Sequence, residues 1–377
     1  MYEYPFAWPS PTEQPAEWES VHREPLVPVT LPSGDTALLI TRYDDVRAVL
    51  ADHRVSKDRS RKGTARMTDD SKKVFQAKPV AMHGEQHSRV RRLINKAFTA
   101  RRIEAMRPRI VEIVEELLDD LAGKAQPVDL NAEFSFPLTI RVICELLGVP
   151  DEERENFGDT SNPPWGYMRD LIERLREEPG DNLISALISV HDADDGRLST
   201  EELVWWCTLL LLAGYETTAN QVTGSVVLLL NKPEEFERLR ADPQLMPAAI
   251  EELLRCQVVG SALSMLRVVT EDIEVSGRTL PAGTTVIPGL DAANFDPSAF
   301  KCPARFDLDR PEKRQQLTFS TGQHFCLGAP LARVELQEAI GRLIRRYPTL
   351  RLAVPTAELS RAEDVFFPAF TEVPVRF

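Results

Sequence analysis

Paired cysteines are missing from this 377-residue chain. Its five cysteines stand at 144, 207, 256, 302 and 326, with no Cys-x-x-Cys. That excludes a disulfide framework and points to a reducing compartment. Basic charge is also short: 45 Lys and Arg face 58 Asp and Glu, a net charge of −13. Such a balance argues against nucleic acid as a partner. Long apolar runs are absent too. The longest, 203–215, is too short to span a bilayer and is followed by Glu216. Residues 1–24 are rich in Pro, Glu and Trp, with no basic stretch ahead of an apolar run, so no secretory signal is expected. The expectation is a soluble, cytoplasmic, bacterial protein with no membrane association.

Core material is plentiful. Hydrophobic residues make up 43% of the chain. Length alone allows two or three domains, and one large helix-rich domain satisfies it equally. Residues 1–25 read as an extended, proline-marked lead-in. Apolar stretches at 27–29 and 36–41 flank Pro32-Ser33-Gly34-Asp35 and predict a β-hairpin. A short amphipathic helix follows over 43–50. The polar and basic stretch 54–82, which includes Lys57, reads as a loop with broken helix. Helices are predicted over 87–97, 107–121, 136–147, about 166–178 and 181–190, the third closed by Gly148 and Pro150. The acidic run 191–196 has too few ligands for a calcium loop and reads as a plain turn. Segment 273–287 reads as a hairpin, turning at 276–277 and 281–283. Cys144, Cys207 and Cys256 fall in apolar helical patterns and read as core. Two basic clusters, Arg101 with Arg102 and Arg342 with Arg345 and Arg346, read first as solvated faces.

Two stretches conflict with their surroundings. Ser199-Thr200-Glu201-Glu202 opens, with capping character, a helix running to about 230 that is apolar on most faces. Its interior reads Ala213-Gly214-Tyr215-Glu216-Thr217-Thr218, an acid beside two threonines. Threonine hydroxyls there bond back to the previous turn and bend a helix. Gly214 removes a side chain where a flat ligand would approach. Taken locally, this is either a satisfied polar notch or a ligand site. The second stretch, Phe319-Ser-Thr-Gly-Gln-His-Phe-Cys-Leu-Gly328, is a loop feeding a helix. Gly322 and Gly328 permit positive φ or close backbone approach, and Pro330 suits a first helical turn. Cys326 thus precedes a helix N-terminus, where backbone N–H groups and the helix dipole favour a thiolate. On local grounds it is either a structural cysteine or a ligand for a soft or redox metal.

The spacing Phe-x-x-Gly-x-His-x-Cys-x-Gly resembles the haem-binding loop of the cytochrome P450 family at each fixed position. The six residues 213–218 resemble that family's distal-helix pattern, and further motifs occur in the expected order, so the likeness covers nearly the whole chain. It implies a mainly α fold with small β-sheets, the α-rich triangular prism of that family, as a single domain over 1–377. It implies haem b (iron protoporphyrin IX) between the helix at 199–230 and the helix after Cys326, with Cys326 as the proximal thiolate ligand. His324 then lies near a haem propionate, with Phe319 backing the loop. His87 and Arg91, four apart on one helix face, read locally as a basic surface pair. The resemblance makes them propionate holders, together with Arg267. Thr217 then assists O–O cleavage, and Glu216 relays protons from solvent.

Glu252 and Arg255 read locally as a common surface pair. The family likeness buries them and adds an arginine from a later irregular segment, Arg305 first and Arg310 second. Residues 293–297 resemble the usual Ala-Asn-Arg-Asp-Pro, with Phe295 in place of the arginine. The aromatic segment 365–371 takes the place of a turn that meets substrate in the family. Another departure lies at 151–180, where one helix stands in for two and the distal lid is abbreviated.

The implied activity is monooxygenation, as a tailoring step of bacterial secondary metabolism. Substrates are small molecules or peptide-like compounds. Electrons come from a ferredoxin and ferredoxin reductase, because the chain has no flavin or iron–sulfur segment. Oxidative coupling of a peptide or carrier-bound substrate, with a carrier protein as partner, is the alternative within catalysis. A non-catalytic haem-binding or sensing module is the alternative outside it.

Overall fold

The computed structural model describes residues 1–8, 13–58, 61, 63–68, 82–157, 164–193, 199–257, 265–311, 315–362 and 369–377. Parts of the stretch at 54–82, the acidic turn at 191–196 and the aromatic segment 365–371 lie outside the described residues. The helices, in chain order, are α1 Glu17–Val21, α2 Tyr43–Ala51, α3 Gly84–Ala97, α4 Ala100–Ala105, α5 Arg107–Ala122, α6 Phe136–Leu147, α7 Trp165–Glu177, α8 Leu183–Ala193, α9 Thr200–Leu230, α10 Pro233–Ala241, α11 Met246–Cys256, α12 Leu290–Asn294 and α13 Ala329–Arg346. The strands are β1 Tyr2–Glu3, β2 Leu26–Thr30, β3 Thr36–Ile40, β4 Val55–Ser56, β5 Val128–Asp129, β6 Arg267–Val269, β7 Ile273–Val275, β8 Arg278–Leu280, β9 Thr285–Pro288, β10 Arg351–Leu352 and β11 Pro374–Arg376. The fold is mainly α with small sheets, as expected. The chain forms two compact units.

The first unit comprises Met1–Ser88, Gln244–Cys326 and Thr356–Thr371. Its frame is a six-stranded sheet in the order β1-β2-β3-β9-β6-β4. β2 and β3 form the predicted hairpin, Leu26 facing Ile40 and Thr30 facing Thr36. β7 and β8 make the hairpin expected after 273. β9 leaves that hairpin and pairs with β3 in parallel and β6 antiparallel. Its four residues, Thr-Val-Ile-Pro, are all buried, which suits an inner strand rather than a hairpin arm. The lead-in is more than an extended strap. β1 adds to the sheet beside β2, and Tyr4, Phe6, Trp18 and Val21 enter the core with Ile287 and Phe300.

The second unit comprises Arg89–Pro243, Leu327–Pro355 and Glu372–Phe377. α9 is its spine and packs against α6, α7 and α13. Its start is fixed as the sequence predicts. The Ser199 hydroxyl accepts from Glu202 N, and the Glu202 carboxylate accepts from Ser199 N, a complete capping box. From Thr218 to Leu229 every residue is buried, so hydrophobic burial on all faces carries the helix through the core. α6 ends where the sequence says, with Gly148 at φ 83°, a left-handed stop that glycine takes without strain. A π-helical turn at Asn131–Ser135 leads into α6, and Thr223 of α9 donates to Ser135 Oγ at 2.8 Å. β10, β11 and β5 close this unit in a small antiparallel sheet.

Candidate active site

The first unit carries the cysteine loop. Ser320 and Gly322 take positive φ, 61° and 72°. At Gly322 a Cβ would stand 2.7 Å from the Leu50 carbonyl oxygen of α2, so only glycine lets the loop lie this close. Gly328 has an ordinary φ of −74°, and the left-handed conformation the sequence allowed there is not used. Cys326 N donates to Phe319 O at 2.9 Å and Phe325 N to Gly322 O at 3.1 Å. Phe319 is therefore tied to the cysteine through its backbone. Pro330 falls in the first turn of α13. Cys326 is exposed, whereas Cys144, Cys207 and Cys256 are buried as predicted. Burial pushes the Cys144 thiol up to about 12 and the Cys207 thiol up as well, which leaves those two inert.

Around His324 the same unit gathers bases. His324 lies two residues before the cysteine, and its ring centroid is 4.1 Å from that of His87. Burial holds the imidazole far below its ordinary pKa, and Lys57, His87, Arg267 and His83 depress it further. These four neighbours among the described residues are all bases. His87 and Arg267 are themselves buried, 4% and 3% exposed. Arg91 lies one turn beyond His87 on α3 and is half-buried. The structure brings together His87, Arg267 and His324, three residues named from the sequence. Sequence reasoning missed Lys57 and His83. Lys57 was visible only as one base in a basic run, and His83 only as a histidine four residues before His87.

Behind the loop sits a buried charge cluster. Arg255 donates from Nε and Nη2 to Glu252, both at 2.8 Å. The third partner corrects the sequence expectation. Arg310 Nε lies 3.0 Å from both Glu252 oxygens, while the Arg305 side chain is 72% exposed and reaches only Asp307, at 3.9 Å. Arg305 contributes its carbonyl oxygen, which accepts from Arg255 at 3.2 Å and Arg310 at 2.6 Å. Phe295 has a use of its own: the Arg255 guanidinium lies 5.3 Å over its ring.

In the second unit, α9 is accessible over a broad face that takes in Leu209, Leu210, Leu212, Ala213, Gly214, Glu216 and Thr217. Thr217 Oγ1 donates to Ala213 O at 2.7 Å, the back-bond the sequence predicts. Glu216 beside it is half-buried. Gly214 also packs closely: a Cβ there would stand 2.7 Å from Ile143 Cδ1 of α6, so the glycine lets α9 seat against α6 without displacing that side chain. The basic clusters named from sequence are ion-paired surfaces. Arg342 pairs with Glu115 and Glu338, Arg346 with Asp119 and Arg102 with Asp181.

An exposed thiol on a pinned loop is a soft donor for iron, and a set of bases is what porphyrin carboxylates require. The residues present fit a haem. They mark a haem-thiolate protein. The comparisons agree. The family model described as Cytochrome P450 matches residues 23–157 and 150–352. The mycinamicin IV hydroxylase/epoxidase of Micromonospora griseorubida is 41% identical over 374 residues, covering 93% of this chain and 92% of that one. The nocardicin C N-oxygenase of Nocardia uniformis subsp. tsuyamanensis is 39% identical over 393 residues, covering 99% and 98%. The crystal structure of SgvP, a putative thioether synthase of the griseoviridin tailoring step, superposes with a TM-score of 0.91 at 38% identity, covering 100% of this chain and 99% of that one. This chain belongs to the cytochrome P450 family. It is a monooxygenase-type oxidoreductase whose cofactor is a haem iron. No helix among the described residues is long and apolar enough to cross a membrane.

Proposed function

We propose that the chain holds haem b through Cys326 and oxidises a small organic or peptide-like molecule in a tailoring step of bacterial secondary metabolism, in the cytoplasm. The observation that carries this is the cysteine loop with its cradle of bases in one unit. When bound, the haem supplies O₂ activation, using two electrons from a ferredoxin and its reductase. Cys326 would hold the iron as a thiolate, and its electron donation would tune the haem for that chemistry. His87, Arg91, Arg267, His324 and Lys57 would hold the porphyrin carboxylates by charge-assisted contacts. Phe319 fixes the cysteine backbone. The Thr217 proton is committed to Ala213 O, so its oxygen acts as an acceptor that orients a proton donor. Glu216 then passes protons inward from water. Gly214 lets α9 seat against Ile143 of α6 and leaves no side chain in the way of a flat ligand.

Oxidative coupling of a peptide or carrier-bound substrate, with a carrier protein as partner, is the second reading. It is supported by the likeness to SgvP, described as a putative thioether synthase. The test supplies ferredoxin, reductase and NADPH with a panel that includes mycinamicin IV, nocardicin C and carrier-linked peptides. Products that gain one oxygen support monooxygenation, and products that lose two hydrogens support coupling. No NADPH-driven turnover on any member would leave a haem-binding module. Thr217→Ala is expected to cut product formed per NADPH severalfold while NADPH oxidation continues, as loss of a group that orients a proton donor predicts.

A further inference from the structure

The His324 ring is held by two other imidazoles, and they act on different parts of it. His87 lies against its face, with centroids 4.1 Å apart and planes inclined by 44°. His83 meets its edge. His324 Nε2 stands 3.4 Å from His83 Nδ1, while the ring centroids are 5.7 Å apart and the planes only 22° inclined. So short a nitrogen contact between centres so far apart lies along the line joining them. The rings therefore meet edge to edge in nearly one plane, the direction of an in-line hydrogen bond. The other nitrogen of His83, Nε2, stands 2.8 Å from the His53 carbonyl oxygen. A carbonyl oxygen can only accept, so His83 Nε2 carries a proton and its ring orientation is fixed. The Gln323 amide nitrogen lies 3.3 Å from His83 Nδ1 on the same side. A carbonyl–imidazole–imidazole chain of this kind orients a ligand-facing ring from behind, as outer hydrogen bonds do around metal-binding histidines.

We propose that His83 is a positioning residue for the cofactor: anchored on the His53 carbonyl, it accepts from Nε2 of His324 and so fixes the plane of the ring that lines the porphyrin carboxylate site. This rests on the reading of the His324 cradle as the haem carboxylate site. His83 touches no reacting atom in this account and acts through His324.

The test uses haem-loaded wild type, His83→Ala, His83→Gln and His53→Ala. It reads the propionate bending bands by resonance Raman and the rate of haem release to apomyoglobin. In His83→Ala the bands shift and release is roughly fivefold faster, the net worth of about one hydrogen bond. The reduced CO complex keeps its thiolate signature. His83→Gln, whose amide can bridge carbonyl and ring, recovers both readouts. His53→Ala keeps the backbone carbonyl and behaves as wild type. Unchanged bands and release in His83→Ala overturn the proposal. Faster release with unchanged bands marks a loosened fold and overturns it too. Wild type that takes up no haem, or takes it up without a thiolate signature, overturns the underlying reading with it.

Discussion

At the residue scale the sharpest contrast is between two arginines of one short segment. Glu252 receives Arg255, Arg310 and the Asp307 backbone N–H, the last at 3.0 Å. Arg310 is 9% exposed in its side chain and Arg305 72%. Removing one partner of a buried ion pair costs about 3–5 kcal/mol, whereas an exposed substitution stays within ~0.5 kcal/mol. Arg310→Ala should therefore lower the denaturation midpoint steeply and reduce haem retention, as should Glu252→Ala and Arg255→Ala, while Arg305→Ala leaves both unchanged. Urea melts of the four variants check this. The Glu252–Arg255 half was legible because helical spacing of three puts both on one face. The third partner was not: residues 301–311 have no period, two arginines offer the same chemistry, and only the path of the loop chooses.

Glu335 of α13 is a second residue with a consequence. It is 1% exposed, and burial raises its carboxyl well above the ordinary value. Its Oε2 has no partner among the described residues. A carboxyl with a raised folded pKa stabilises most below the unfolded value of about 4.3, and that stability is lost as pH rises toward the folded value. Glu335→Gln keeps the shape without the charge. Its stability relative to wild type should rise from about pH 4 upward. Parallel stability–pH curves for the two proteins would refute this.

At the element scale, long periodic helices were read within a few residues, α9 most securely because length and capping box agree. The β6–β9 pairing was hidden, since three- and four-residue strands carry little pattern and their partners are set by distant chain. The segment that leads into α7 shows what holds a short helix in place. Arg174 of α7 grips Glu153 bidentately at 2.7 and 2.8 Å, and the Tyr167 hydroxyl donates to the same carboxylate. Those contacts, Arg174 first, hold the Glu153 carboxyl down at about 2. A depressed carboxyl stabilises above its unfolded value and loses that contribution as pH falls, here between about 4.3 and 2. Hydrogen exchange of Trp165–Glu177 should thus lose protection on acidification through that window. Glu153→Gln should exchange faster at pH 7 and show no such step.

At the scale of the whole molecule, the candidate site was legible as motifs spread over hundreds of residues. Cys326, His324, His87 and Arg267 were legible through the resemblance of their motifs to the cytochrome P450 family, while locally His87 read as half of a basic surface pair. Lys57 and His83 escaped notice because only the folded chain brings them to His324. The central claim is that Cys326 supplies a thiolate to a haem. The most direct measurement is the absorption spectrum of the dithionite-reduced, CO-bound protein, wild type against Cys326→Ser. The account predicts the strongly red-shifted Soret band of thiolate ligation in the wild type and its complete loss in the variant, with the fold intact by circular dichroism. A variant that keeps the shifted band, or a wild type that never shows it, would contradict the account.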